Sequence, residues 1–570
     1  MRKHLLLTKT GSKTILLLVT SFSMALFTKA QTVENVAKDS MASHKTVYGK
    51  DGEVLAWYQP QVPGAAYSHV VQLASEFIKS GTPLDSATGL PMYLVTCCFS
   101  GPHLSSEEKF KAGRTGEDWM HNPATVYAAM VHSLVLGYRV FSGDDAYVKV
   151  VKSMLDYQLA NGTTPNGWEW PKVPYASSNP FEKEYFGATK SEKEGMRGDG
   201  LHGIEPDKIG ELGLSYLLFY EVTMDTTYLN AAINCADALA KNIRDVGGDL
   251  KYFSNVETKI SPWPFRVNAR SGLVIDEYCS NVVEPVRLMD ELIRVKKQIN
   301  LSEEKYNAYL RARNIAWKWL YSKNGPMKTS IWNAYFEDIP NDPERSNRNQ
   351  VSPMETARYI LKNPYLDSNM SVNIPALIYW VESVFGTENM YAIKEQTWCY
   401  VPMGSHTARF ASICALWYEK TRDETYKEKA YNYFNNATYS TDKNGVVRVG
   451  PTWPSSWFSD GYSDYIRHFL DGIAAVPEWA PEGENHLLRS SSVVQKIVYN
   501  NQEINYTCFD NSSKEVLRLT TKPKRILANN VLLKESKDNG AEGWTWQPLK
   551  KGGVLTVHHS QSNAVKIVLK

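Results

Sequence analysis

The chain has 570 residues, a near-balanced charge (63 Lys and Arg against 61 Asp and Glu, net +2) and seven cysteines. That balance excludes a nucleic-acid-binding protein, which needs a strongly basic face. Cysteines at 97, 98, 235, 279, 399, 414 and 508 match neither a zinc spacing nor a dense disulfide framework, so neither a metal nor a cofactor is expected. Sixteen Trp and 33 Tyr exceed the needs of a core and point to flat, hydroxylated ligands.

At the N-terminus, Arg2, Lys3, Lys9 and Lys13 precede the apolar run 15–19, which extends to Phe27, and Thr28-Lys29-Ala30 supplies small residues before Gln31. This is the pattern of a secretory signal peptide over residues 1–30. The first later cysteine is Cys97, so no lipid anchor is expected at the cleavage site. No later run is expected to span a bilayer, and the expected location is periplasmic or secreted.

One unit recurs along residues 31–480. The stretches 126–162, 210–243 and 407–437 each join an apolar helix to an amphipathic one, with Asp144, Asp225 and Asp423 three residues before Tyr147, Tyr228 and Tyr426, where N-caps belong. In the second helix of the middle unit, Leu229, Ala232, Ile233, Ala236, Leu239, Ala240 and Ile243 share one face, which predicts an outer helix with a wet side. The first helix of each unit is apolar nearly all round and predicts an inner helix; Gly210 and Gly213 suit close packing there.

By this criterion inner helices start near Asn122, Asp207, Ser280, Ser352, Ser405 and Asp460, and outer ones near Asp144, Thr226, Ser302, Ser371 and Asp423. The helix 66–80 is left as the sixth outer partner, beside the last inner helix. Pro353, Pro364 and Pro375 interrupt the fourth pair. Turns within pairs are short and links between pairs are long, so the long links and the inner-helix N-termini are expected on one functional rim. After the linker "PEWAPEGE" at 477–484 the texture becomes β-rich, and residues 484–570 predict a small β-sandwich. Cys235, Cys279 and Cys414 read as buried small hydrophobes.

The rim loops mix Trp and Tyr with carboxylates and arginines, a composition that suits the apolar faces and hydroxyl edges of sugars. Arg197, Arg266, Arg270, Arg409 and Arg448, with converging positive helix ends, favour an anionic sugar such as a uronic acid. Candidate catalytic carboxylates are Glu205 and Asp460, with Asp276 and Glu277 in reserve. Trp119, His121, Arg197, His202, Arg266, His406, Arg409 and Trp457 are candidate substrate-binding residues. Each carboxylate has a bland alternative: Glu205, Asp207 or Asp460 as helix caps, Asp118 as preparation for the first helix start, Asp276-Glu277 as a loop pair with one solvated member, and Glu284 or Glu355 as buried partners of arginines.

Six helical hairpins, a secretory signal, a C-terminal β-sandwich and "SDGYSDYIRHF" together resemble the six-hairpin glycosidase superfamily, and among its members the secreted bacterial uronate-directed, β-glucuronidase-like hydrolases. The resemblance implies a mainly α six-hairpin (α/α) toroid barrel followed by a small β-sandwich. It also implies an oligosaccharide or polysaccharide substrate, with one carboxyl group protonating the leaving oxygen and a second activating water or attacking; the matching positions are Glu205, Asp276, Glu277 and Asp460. The rivals are a uronate lyase with His202, His406, Tyr278 or Tyr462 as base, and a non-catalytic glycan-binding protein.

Overall fold

In the computed structural model the described residues are 40–100, 120–188, 199–247, 250–253, 256–332, 348, 350–387, 390–397, 401–451, 456–457, 464–536, 538 and 540–570, with the backbone alone described at 98–100, 250–253, 256–259, 278 and 456–457. Residues 1–30, expected as a signal peptide, lie outside them. The chain is mainly α, with its larger sheets in the C-terminal region.

Twelve helices carry the main packing: α1 (Ala65–Glu76), α2 (Pro123–Ser142), α3 (Ala146–Asn161), α4 (Pro206–Thr223), α5 (Thr226–Lys241), α6 (Val283–Arg294), α7 (Glu303–Leu320), α8 (Val351–Lys362), α9 (Met370–Phe385), α10 (Gly404–Thr421), α11 (Glu424–Thr438) and α12 (Asp464–Ala475). The inner helices pack in a circuit, α2 on α4, α4 on α6, α6 on α8, α8 on α10, α10 on α12 and α12 back on α2. Contrary to the expectation, α6 is not apolar nearly all round, since Glu284, Arg287, Asp290, Glu291 and Arg294 interrupt it. The one-sided helices α3, α5, α7, α9 and α11 each pack on the helix before them, and α1 packs on α12, as expected for a sixth outer helix. Pro375 sits inside α9 without ending it.

Local chemistry explains these boundaries. Pro123 and Pro206 occupy first helical positions, where no intrahelical N–H is lost. The carboxylates of Asp225 and Asp423 accept from the amides of Thr227 and Thr425, as caps do. In the first unit the expectation is off by one residue: α3 has Asp145 at its N-cap, while Asp144 still accepts from the Ala146 amide at 2.9 Å. Helix α2 is long and apolar enough by length and composition to cross a membrane, contrary to the sequence expectation. Its most apolar 18-residue window is 78% buried, however, because this is a core helix of the circuit.

Helix α4 approaches α6 so closely that a Cβ on Gly210 would lie 2.4 Å from the Pro285 nitrogen. This contact brings the neighbouring residues Glu211 and Glu284 toward one another. Cys235, Cys279 and Cys414 are buried thiols in the same apolar cluster, as expected.

A three-stranded antiparallel sheet of β1 (Gly203–Ile204), β2 (Pro264–Asn268) and β3 (Val274–Cys279), ordered β3-β2-β1, stands at the entrance to α4. The C-terminal strands are β4 (His486–Ser490), β5 (Val494–Tyr499), β6 (Glu503–Cys508), β7 (Ser513–Leu519), β8 (Arg525–Ala528), β9 (Val531–Leu533), β10 (Gly543–Pro548), β11 (Gly553–His559) and β12 (Ala564–Val568). They form a four-stranded sheet, β4-β7-β11-β10, and a five-stranded sheet, β5-β6-β12-β8-β9, with their own apolar cluster.

The segment expected as a linker is an anchor instead. Trp479 is buried against Tyr67 and Phe434. Buried Arg139 of α2 donates to the Val494 and Gln495 carbonyls of β5, and Arg294 of α6 pairs with Asp510 at 2.8 Å.

Candidate functional site

Four successive inner helices carry an acid or histidine followed three residues later by arginine: Glu284 and Arg287, Glu355 and Arg358, His406 and Arg409, Asp464 and Arg467. At this spacing both side chains share one helix face, and the circuit turns those faces inward. Glu355 is approached by Arg409 at 3.2 Å, Arg467 at 3.5 Å, Arg358 at 3.7 Å and Arg287 at 3.8 Å. Asp464 pairs with Arg409 and Arg467 and lies 3.0 Å from His468 Nε2. The result is a buried girdle of alternating charge that gathers the first two turns of α6, α8, α10 and α12 in one place.

The girdle separates protonation states. Burial favours neutral Asp464, but Arg409, Arg467 and His468 override it and hold this carboxyl well below the usual range. Glu211, one turn into α4, is paired among the described residues with Lys208 at 3.9 Å. Burial raises it to about 7, with Lys208 opposing and Glu284 adding to the rise. Burial also lowers His406 and His468 to about 3, so both rings are neutral near pH 7. One neutral-leaning carboxyl and one firmly ionised carboxylate in mutual electrostatic range is the arrangement acid–base chemistry requires.

A second cluster lies at the mouth of α4. Arg266 on β2 meets Glu205 at 2.8 Å, Asp199 at 2.8 Å and Asp276 at 3.3 Å, all buried. Burial raises Glu205 well above the ordinary glutamate value; Arg266 works against the rise, and Asp199 and Asp207 add to it. Neither simple cap reading describes these residues: Glu205 occupies the N-cap position without a side-chain bond to the helix, and Asp207 accepts from the adjacent Lys208 amide.

The Asp276-Glu277 pair also differs from its bland alternative. Both residues are buried on β3, and Glu277 pairs with Arg244 at 2.7 Å, so neither is solvated. Glu284 and Glu355 are indeed buried partners of arginines. Arg266 and Arg409, expected to face a substrate carboxylate, are engaged by internal carboxylates.

Of the remaining candidates, His121 is fully buried, with Nε2 3.4 Å from the Tyr127 hydroxyl, and burial lowers it to about 3. His202 adopts a left-handed backbone, φ 64°, with its ring edge-on to Trp168 at 4.7 Å. Such a conformation is uncommon for a non-glycine residue. Asp460, Trp119, Arg197, Tyr462 and Asp118, and the side chains of Trp457 and Tyr278, lie outside the described residues.

Sequence reasoning missed Glu211, Asp464, Arg467 and His468. The last three stand within "SDYIRHF", where the i, i+3, i+4 spacing was the available signal.

No protein-family profile matches the chain, and no curated protein matches it in sequence. Among solved structures it is similar to cellobiose 2-epimerase from Spirochaeta thermophila, at 10% identity and TM-score 0.48, over 74% of this chain and 98% of that one. It is also similar to a GH76 α-mannanase from Bacteroides thetaiotaomicron, at 10% identity and TM-score 0.41, over 71% and 95%. A third is a glycosyl hydrolase of family 88 from Bacteroides vulgatus, at 12% identity and TM-score 0.39, over 73% and 100%.

Proposed function

We propose that this protein is a glycoside hydrolase that removes a terminal uronic acid, of the β-glucuronide kind, from oligosaccharides. The observation that carries the reading is the opposed protonation of two inward-facing carboxyl groups, Glu211 neutral-leaning and Asp464 ionised. Glu211 donates the proton to the leaving oxygen as the glycosidic bond breaks, and ionised Asp464 takes a proton from the water that attacks the anomeric carbon through an oxocarbenium-like transition state. Glu205, kept protonated by burial against Arg266, is the second candidate donor.

The uronate preference is supported by the positive N-terminal ends of α6, α8, α10 and α12 gathered at the girdle. The paired arginines lend it less support than their number in the sequence promised. Export rests on the pattern of residues 1–30, and the division into a helical catalytic domain over 31–480 and a β-sandwich over 484–570 rests on texture and on the two apolar clusters.

A second reading, elimination across a uronate, would use the neutral ring of His406 or His468 as base; burial that lowers both to about 3 makes them weak bases and counts against it. Incubation with uronide oligomers and neutral glycosides tests both readings. Release of a free uronic acid without a new conjugated double bond is expected. Appearance of the double bond selects elimination, and an intact glycan bound tightly after prolonged incubation selects a binding protein.

A further inference from the structure

The interior of the C-terminal sandwich holds a polar cluster unrelated to the girdle. Glu515 on β7 and His559 on β11 are fully buried in one sheet, and Cys508 on β6 is fully buried in the other. His559 Nε2 lies 3.2 Å from one Glu515 oxygen, and Cys508 Sγ lies 3.9 Å from the other. The three donor atoms all fall within 4.8 Å of one another. Hydroxyls surround them: Tyr506 and Ser490 each donate to Glu515 at 3.0 Å, and Ser513 lies 2.9 Å from His559 Nε2. All this sits among Leu517, Val557 and Ile504, where an apolar side chain would fill the space at lower cost than a carboxylate.

We infer that Cys508, Glu515 and His559 form a site for a divalent transition metal, zinc by preference, that ties the two sheets together. The donor types fit: one thiolate, one imidazole and one carboxylate are zinc's usual ligands, at about 2.0–2.3 Å in a tetrahedron. Those bond lengths place ligand atoms roughly 3.3–3.7 Å apart, so the observed spacings need only small side-chain adjustments to enclose an ion. Charge also balances, because Zn²⁺ with one thiolate, one carboxylate and a neutral imidazole carries no net charge. Forming that state sends the Cys508 thiol proton to solvent, and Ser513 or a water supplies the fourth ligand. Ligand positions 508, 515 and 559 follow no short motif because the site assembles from strands of two sheets.

The test uses the full-length protein, produced with zinc in the medium for metal analysis, and separately stripped with chelator and titrated with zinc and with cobalt(II). One equivalent of bound metal is expected. The cobalt form should show the thiolate-to-cobalt charge-transfer absorption that only a cysteine ligand gives. Cys508→Ser should lose that band and weaken zinc binding on the order of 100-fold or more. His559→Gln should weaken binding comparably, and added zinc should raise the thermal midpoint of the unsubstituted protein only. Absence of stoichiometric metal by both routes, a cobalt complex without the thiolate band, or undiminished affinity in Cys508→Ser overturns the assignment. The first two readouts need no variant, so a substitution that fails to fold leaves the test intact.

Discussion

Glu205 stands at the N-cap of α4, yet its carboxyl oxygen accepts a hydrogen bond from Arg266 Nε at 2.8 Å instead of from the helix's own amides. A capping acid meets the first free amides of its helix; this one has been turned away toward the β1–β3 sheet. Because Asp199 and Asp276 share the same guanidinium, one cation faces three buried carboxyl groups. Burial, with Asp199 and Asp207 contributing, keeps the Glu205 proton in place against the pull of Arg266.

This relationship predicts an asymmetry between two substitutions. Arg266→Gln removes the cation that Glu205, Asp199 and Asp276 share and should cost about 3–5 kcal/mol, read as a drop in the denaturant midpoint. Glu205→Gln replaces a protonated acid by its isostere and should cost less than about 1.5 kcal/mol, the size of one ordinary hydrogen bond. Equal losses in the two variants would show that Arg266 is not holding Glu205 in this way.

Glu211 gives a pH dependence of defined sign. Its folded value is raised to about 7 from an ordinary 4.5, so the stability that comes from keeping it protonated is complete below 4.5 and is lost as the pH rises through 7. The difference amounts to about 3 kcal/mol at one unit per 1.4 kcal/mol. Denaturant unfolding measured from pH 4.5 to 8 should show this decline, and Glu211→Gln should flatten it. An unchanged slope in the variant would place the titration elsewhere.

The helix contact beneath Glu211 can be tested directly. Gly210→Ala would push a methyl to within 2.4 Å of the Pro285 backbone nitrogen. The expected cost is about 1–3 kcal/mol from overpacking, with loss of activity beyond what the stability change explains, because Glu211 and Glu284 are displaced together. Thermal unfolding and turnover measured on the same sample check both parts.

How much of this was legible in the sequence follows from the range of each interaction. The hairpins were readable because they are local. Inner starts expected near 122, 207, 352 and 405 fall within one residue of Pro123, Pro206, Val351 and Gly404, and the one expected near 280 falls at Val283. The start expected at Asp460 lies outside the described residues, and α12 is described from Asp464. The girdle was harder to see. An acid three residues before an arginine is common on wet helix faces, and only the circuit of helices turns Glu284, Glu355, Asp464 and their arginines toward one another. Glu211 was hidden differently, as a single acid just before the apolar run from Leu212 to Tyr220, while Cys508, Glu515 and His559 meet only after two sheets close.

The central claim, that Glu211 protonates the leaving oxygen of a glycoside, is tested most directly by comparing leaving groups in Glu211→Gln. A general acid contributes about 10²–10⁴-fold to rate where the departing oxygen needs a proton, and little where that oxygen is already a stable anion. The variant should therefore lose at least about a hundredfold in turnover on an alkyl glucuronide and far less on a dinitrophenyl glucuronide. Full activity on the alkyl substrate, or an equal loss on both, would contradict the assignment; in the first case the donor role passes to Glu205.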